Sequence, residues 1–85
     1  MPYFVYMLLT KHRGKFISYV GYTNNLKNRL SLHNSSKGAK FTKGKKWEII
    51  YSKKYLNKSE AMKDEYRLKK DYKLRNNIKF NYLNK

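Results

Sequence analysis

Tyr19-Val20-Gly21-Tyr22-Thr23-Asn24-Asn25-Leu26-Lys27-Asn28-Arg29, followed by His33-Asn34, is the stretch on which the fold turns. Its first part closes a β-branched and aromatic run from Phe16 to Tyr22, which reads as a strand. Gly21, near the end of that run, marks a close approach of backbone or ligand. Thr23, Asn24 and Asn25 then offer side-chain oxygens to cap a helix. Leu26, Arg29, Leu30 and His33 recur at i, i+3, i+4 and i+7, which is the spacing of one helix face. That helix should end near Asn34-Ser35.

Working outward, Tyr3 to Thr10 is a second β-branched and aromatic run and reads as a buried strand. The polar segment Lys11 to Lys15 between the two runs makes a β-hairpin the economical connection. Downstream, Ser35 to Lys46 is a basic loop with Gly38, Gly44 and five lysines. Trp47 to Tyr51 reads as a third strand that can continue to Tyr55. Asn57 or Ser59 caps a second helix, with Glu60 in the first turn where the helix dipole favours an anion. Its periodicity carries it to about Arg75. Residues 76–85 form a short further helix or an ordered tail, docked through Ile78, Phe80, Tyr82 and Leu83. The order is β-β-α-β-α, with room for a final α. The fold class is α+β: a small three-stranded sheet, antiparallel or mixed, flanked by helices, in one domain over residues 1–85.

The charge is lopsided, with 21 Lys and Arg against 5 Asp and Glu and a formal net charge of +16. Residues 1–50 hold ten Lys and Arg and only Glu48 as an acid; residues 51–85 hold eleven and four acids. The field therefore belongs to the whole domain. It attracts polyanions and costs folding stability through self-repulsion. Nucleic acid is the partner such a field suits, because Lys and Arg contacts release its condensed counterions. A Lys-rich compositional bias explains part of the lysine count but not the shortage of acids. There are no cysteines, which excludes disulfides, zinc knuckles and thiol chemistry and fits a cytoplasmic location. No apolar run approaches the roughly 18 residues that span a bilayer, so no membrane partner is expected. The N-terminal apolar stretch lacks a charged region before it and a cleavage site, and reads as a strand.

Glu65 is the most informative single residue. On the second helix Ala61, Met62, Leu68 and Tyr72 fall in one stripe, and Glu65 lies inside it. A carboxylate on an apolar face is costly unless something pairs with it. A neighbouring Lys or Arg is one such partner. A magnesium ion is the other, because magnesium takes only one or two carboxylates. Arg29 and His33 are four apart and share a face of the first helix. Tyr6 and Tyr19 lie in adjacent strands and can share a sheet face if the hairpin pairs them near opposite positions. Alone, each of these also fits plain packing or a solvated charge. Trp47 is read as core rather than as a base-stacking surface.

Taken together the residues form an ordered set. Phe4-Val5-Tyr6, Tyr19-Val20-Gly21 through Arg29, His33-Asn34, Gly38-Ala39-Lys40-Phe41-Thr42, Trp47, Glu60-Ala61, Glu65 and Leu68-Lys69 follow in sequence. In this the chain resembles the GIY-YIG nuclease superfamily over residues 3–75, above all its small stand-alone bacterial members. It is also similar to the N-terminal nuclease domain of the repair protein UvrC. Phe4 stands where the family has its first glycine, Tyr22 where some members place a lysine, and Asn76 or Asn77 for a late asparagine.

The resemblance implies a metal-dependent endonuclease that hydrolyses phosphodiester bonds with a single Mg2+ or Mn2+ ion. Glu65 would hold the metal. Tyr6 and Tyr19 would bracket the attacking water, Arg29 would stabilise charge on the phosphate, and His33 would assist proton transfer. Nearby cations, the metal and Arg29 among them, would favour the tyrosine anion against its usual pKa of about 10. Lys37, Lys40, Lys43, Lys45, Lys46 and Lys69 would contact nucleic-acid backbone without reading sequence. DNA is preferred by family analogy, with structure-specific or weakly specific cutting in repair or recombination. A monomer is expected, alone or within a larger repair or recombination complex. The alternative is a non-catalytic basic nucleic-acid-binding module on the same fold. A pure binder has no need of Glu65 on that face, because a carboxylate repels phosphate.

Overall fold

The computed structural model describes residues 2–85; Met1, the first residue of the expected domain, lies outside them. The elements are β1 (Tyr3–His12), β2 (Lys15–Thr23), α1 (Leu26–Asn34), a short 3-10 turn (Lys40–Thr42), β3 (Glu48–Tyr55), α2 (Lys58–Lys70) and α3 (Tyr72–Leu83). This is the order read from the sequence with the final helix present. The sheet is fully antiparallel, in the order β2-β1-β3. β1 is central, and its residues from Val5 to Thr10 are buried on both faces. That explains why they read as a continuous apolar run rather than an alternating one.

The hairpin is tighter than the polar segment suggested. His12 pairs with Lys15, so the loop is only Arg13-Gly14, and both residues have positive φ (52° and 79°). Positive φ at both central positions is the type I′ geometry, whose twist matches that of the flanking strands. Arg13 takes the cost of that conformation at the first position; Gly14 fills the second freely.

Two apolar clusters flank the sheet. On one face Tyr6, Leu8 and Trp47 pack with Ile17, Tyr19, Leu26, Leu30 and Ile49, which is the α1 side. On the other, Val5, Met7, Val20, Ala61 and Leu68 pack with Tyr51, Tyr55, Leu74 and Ile78, which is the α2 and α3 side. Trp47 is core, as read: it is buried, and its indole N–H donates to the Thr42 carbonyl at 3.0 Å. It lies one residue before β3, and the Asn34 side chain clamps it there. Asn34 Oδ1 accepts from the Trp47 N–H at 2.6 Å, and Asn34 Nδ2 donates to the Trp47 carbonyl at 3.1 Å.

The second helix ends earlier than its periodicity implied. It stops at Lys70, and Asp71 begins a new helix by accepting the Leu74 N–H at 3.0 Å. Arg75 then reaches back and donates to the Leu68 carbonyl at 3.0 Å and to the Lys69 carbonyl. Asp71, inside the span expected of one helix, is a cap, and Arg75, its expected end, is the strut of an elbow. The buried face also differs. Ala61, Asp64 and Leu68 are buried, whereas Met62 is 46% and Tyr72 66% exposed. Of the residues expected to dock the tail, Ile78 packs against the core, but Phe80 and Leu83 are exposed.

Asp64 is the acid that the reading passed over. Arg67 donates to its Oδ1 from both Nε (2.9 Å) and Nη2 (2.6 Å). Its Oδ2 is buried without a formed hydrogen bond. The carboxylate still acts on Tyr55: burial first, then Asp64, pushes that phenol up to about 12. Burial opposes the charge on Asp64, but Tyr55 and Arg67 together hold its pKa below the ordinary value.

Two expectations follow. Leu68→Ala should cost about 2–5 kcal/mol in urea unfolding, while Met62→Ala should stay within about 0.5 kcal/mol of wild type. A folded-state pKa below the unfolded one means that Asp64 stabilises above the unfolded value of about 3.9 and loses that contribution as pH falls through the folded value. Thermal melts of the wild type should therefore drop more steeply with acid below about pH 4 than those of Asp64→Asn; parallel pH profiles would show that this carboxylate carries no acid sensitivity.

Candidate active site at the edge of strand β2

Directly opposite Tyr6 in the sheet is Gly21, and opposite Leu8 is Tyr19. Paired residues share a face, as do residues two apart on a strand, so Tyr6 and Tyr19 sit diagonally on the α1 face. The Tyr6 ring lies across Gly21. A Cβ built at Gly21 would come within 2.5 Å of the Tyr6 hydroxyl oxygen. The close approach at this glycine is therefore the first tyrosine itself.

α1 starts where Asn25 Oδ1 accepts the Asn28 N–H at 3.0 Å. One turn and two turns later, Arg29 and His33 face the sheet. His33 is fully buried between the two tyrosines, with ring centroids 5.9 Å from Tyr6 and 5.1 Å from Tyr19. Both of its nitrogens are engaged: Nε2 is 2.8 Å from the Tyr6 hydroxyl, and Nδ1 is 2.8 Å from the Thr42 hydroxyl.

The directions of these bonds follow from the inventory of protons. The Thr42 hydroxyl donates its single proton to the Ala39 carbonyl at 2.8 Å. It can therefore only accept from His33, which puts the imidazole proton on Nδ1. Nε2 is left with its lone pair, and Tyr6 donates to it. A one-way chain results: Tyr6 O–H to His33, His33 N–H to Thr42, Thr42 O–H to the backbone. Burial first, and then the Arg29 charge, push the His33 pKa below its usual value and keep the ring neutral. Gly38 closes over this ring, since a Cβ there would stand 2.5 Å from Nδ1.

Thr42 and Gly38 stand in the motif that carries the resemblance, but sequence reasoning gave them no role at the candidate site. The segment from Ser35 to Lys46 was read as a basic loop, but its 3-10 turn carries Thr42 inward as a fully buried residue. The alternation of its lysines hid one threonine that packs. Phe41, next to it, stays 53% exposed and stacks on Tyr19 at 6.2 Å with the rings 20° from parallel. Lys37, Lys40, Lys43 and Lys46 point outward, and Lys45 is half-buried with its ammonium 5.7 Å over the Phe41 ring.

β2 is an edge strand, and there the two sheet faces meet. Tyr6, Tyr19, Gly21 and Arg29 from the α1 side line one hollow together with Tyr22 and Glu65. Glu65 comes from α2, on the opposite face. Its side chain is 17% exposed and pairs loosely with Lys69 at 3.5 Å. Four of the five sequence-derived site residues thus line one hollow, and His33 lies directly behind Tyr6. Lys69 is beside Glu65; the loop lysines are not among the residues that line the hollow.

Burial and Arg29 act on Tyr6 in opposite directions. Arg29 does lower the Tyr6 pKa, but burial outweighs it, and Tyr19 and Glu65 push the same way as burial. Without a metal the Tyr6 phenol is raised and stays protonated. Arg29 alone does not make it a phenolate.

The family model of the GIY-YIG catalytic domain matches residues 2–79. The UPF0213 protein OB0043 of Oceanobacillus iheyensis is 48% identical over 68 residues, which are 79% of this chain and 76% of that protein. The UPF0213 protein YazA of Bacillus subtilis is 47% identical over 53 residues, 61% of this chain and 54% of that protein. The solution NMR structure of the UPF0213 protein BH0048 from Bacillus halodurans is 31% identical and covers 94% of this chain and 85% of its own, with a TM-score of 0.49. The family match runs from the strand that carries Tyr6 past the helix that carries Glu65. Every wall of the hollow falls inside it, and the chain belongs to the GIY-YIG catalytic domains, a nuclease family.

Proposed function

We propose that the chain is a divalent-metal-dependent endonuclease that hydrolyses phosphodiester bonds in DNA, with weak sequence preference, in repair or recombination. The observation that supports this is the meeting of Tyr6, Tyr19, Arg29 and Glu65 in one hollow, backed by the Tyr6–His33–Thr42 chain. A net charge of +16 would serve a pure binder equally well. A half-buried carboxylate facing the hollow would not, because it repels the phosphate that a binder must hold.

Glu65 is a lone carboxylate: among the described residues no three of His, Asp and Glu gather as a chelating cluster. Such a site fits Mg2+ or Mn2+, which keep several waters and take one or two carboxylates plus substrate phosphate. The loose pair with Lys69 is one that a divalent ion can displace. Glu65 would hold the ion, which when bound supplies polarisation of a phosphoryl oxygen and support for the leaving oxygen.

The chain's own residues do the rest. The Tyr6 oxygen accepts the proton of the attacking water while its own proton passes to His33 Nε2. No free phenolate then accumulates, which resolves the difficulty that burial raises the phenol's pKa. Thr42 keeps the imidazole in the tautomer that can receive the proton. Tyr19 orients the water, and the Arg29 guanidinium meets charge developing on the phosphate with a planar fork that Lys lacks. Hydrolysis forms one P–O bond to water oxygen and breaks the bond to the 3′ oxygen, which takes its proton from solvent, and His33 returns its extra proton to solvent through Tyr6 after the cut. Outside the hollow, Lys37, Lys40, Lys43, Lys45, Lys46 and Lys69 steer and hold the backbone.

Purified chain should cut DNA with magnesium and stop with chelator. Glu65→Gln should abolish cutting while anisotropy shows binding retained. Binding without cutting by both proteins, across single-stranded, duplex and branched DNA and RNA, would leave the non-catalytic module as the function. Thr42→Val, which keeps shape and removes the acceptor for His33, should slow cutting by about tenfold or more, whereas Thr42→Ser should restore it. Nitrogen NMR of the His33 ring should show Nδ1 protonation in wild type and Ser but a mixed state in Val; an unchanged ring and rate in Val would remove Thr42 from the mechanism.

A further inference from the structure

We propose that the elbow between α2 and α3 is a second nucleic-acid subsite that seats an unpaired base of a strand leading away from the hollow. The elbow exists because Asp71 ends one helix and caps the next. This brings Tyr66, just before the last turn of α2, and Tyr72, the first residue of α3, to one open, mostly apolar hollow with Arg67, Lys70, Asp71 and Lys73. Both rings are offered to solvent, Tyr66 at 59% and Tyr72 at 66% exposure. Phe16, Phe41 and Phe80 are exposed as well, but Tyr66 and Tyr72 share one hollow, and it is contiguous apolar surface that marks a binding site.

Charge says what that use is. The Lys70 ammonium stands 4.3 Å from the Tyr66 ring centroid, and the Arg75 guanidinium 5.7 Å from that of Tyr72. The Asp71 carboxylate is spent on the Leu74 N–H, and Arg67 is spent on Asp64. Among the described residues Lys70 and Lys73 have no acid partner. Flat aromatic faces set among uncompensated cations are the arrangement that holds single strands: bases stack and the intervening phosphates meet the cations.

A path joins this elbow to the candidate active site. At about 100° per residue, Lys69 lies between Glu65 and Tyr66 around α2. Lys69 and Arg75 also line a groove with Ser18, Tyr19 and Val20, so Tyr19 is common to that groove and to the hollow. A strand leaving the hollow past Lys69 and Arg75 arrives at Tyr72 and Tyr66. The direction of this path rests on the nuclease reading; the seating of a base does not.

The test is fluorescence anisotropy in chelator and low salt with two labelled probes of equal length, an oligothymidylate and an abasic oligonucleotide. Both carry the phosphates, but only the first can stack. Wild type should hold the oligothymidylate tighter by about fivefold or more. Tyr66→Ala combined with Tyr72→Ala should erase that preference, and the paired Tyr→Phe changes should keep it. Lys70→Ala should weaken both probes alike. Equal binding of the two probes by wild type overturns the subsite. So does a preference that survives the double alanine change, which would assign the stacking to another exposed ring such as Phe41. Base preference with no cleavage supports the subsite while the nuclease reading fails; cleavage with no base preference does the reverse.

Discussion

A neutral histidine buried to zero exposure is tolerable only if both of its nitrogens are satisfied, and most of this site is organised to satisfy them. Tyr6 must reach Nε2, which requires a strand neighbour with no side chain, and Gly21 provides it. Thr42 must reach Nδ1, which requires the segment after α1 to fold back over the ring. Gly38 permits that approach, because any Cβ there would collide with the imidazole. The backbone carbonyl of Ala39 then takes the last proton. Four stretches of chain are thereby tied to one ring: β1, β2, α1 and the 3-10 turn. A break at any point leaves a buried polar atom unpaired, at a cost of about 1–3 kcal/mol, which is a large share of what an 85-residue chain has in hand.

The charge imposes a second constraint. Of only five acids, four sit where a carboxylate has a partner or a helix end to serve. Asp64 anchors Arg67, Asp71 caps α3, Glu60 lies in the first turn of α2, and Glu48 lies beside the Tyr82 hydroxyl and raises its pKa. Glu65 is the exception, since its pair with Lys69 is long and it faces a hollow. Self-repulsion among the cations opposes the folded state, and a polyanion relieves it. Binding and folding therefore pull in the same direction for this chain, and the loosely paired acid is the one that lines the hollow.

What could be read in the sequence follows from which signals are local. The hairpin, the Asn25 cap and the helical spacing of Arg29 and His33 are short-range patterns, and they hold. Tyr6 and Tyr19 needed only the hairpin register, and two strands joined by a tight turn leave little freedom in it. Glu65 was legible because a charge among apolar positions is an anomaly. Thr42 was not, since a threonine between lysines carries no periodic signal and its role depends on a contact nine residues away with His33. Asp64 was missed for the opposite reason: in a run of charged residues its burial leaves no mark. Tyr66 and Tyr72 were blurred by their place in the periodicity, which continues through the elbow as though Asp71 were not a cap. Met62 was drawn into the apolar stripe by hydrophobicity alone, although the helix turns it outward.

The edge position of β2 joins these constraints. Tyr6, Tyr19 and Arg29 belong to the layer that α1 forms, and Glu65 belongs to the layer that α2 forms on the other face. The hollow therefore exists only while both layers are packed on the sheet. Leu68 and Ala61 press α2 against Val5, Met7 and Val20, and that packing, not any bond to the tyrosines, sets where Glu65 stands. Packing on the two faces can fail separately. Loosening α2 would move the carboxylate and leave the Tyr6–His33–Thr42 chain intact; loosening the 3-10 turn would free the imidazole and leave Glu65 in place. Two halves of a site with independent supports, joined at a glycine in an edge strand, are a way to make a reaction depend on the whole of a very small fold.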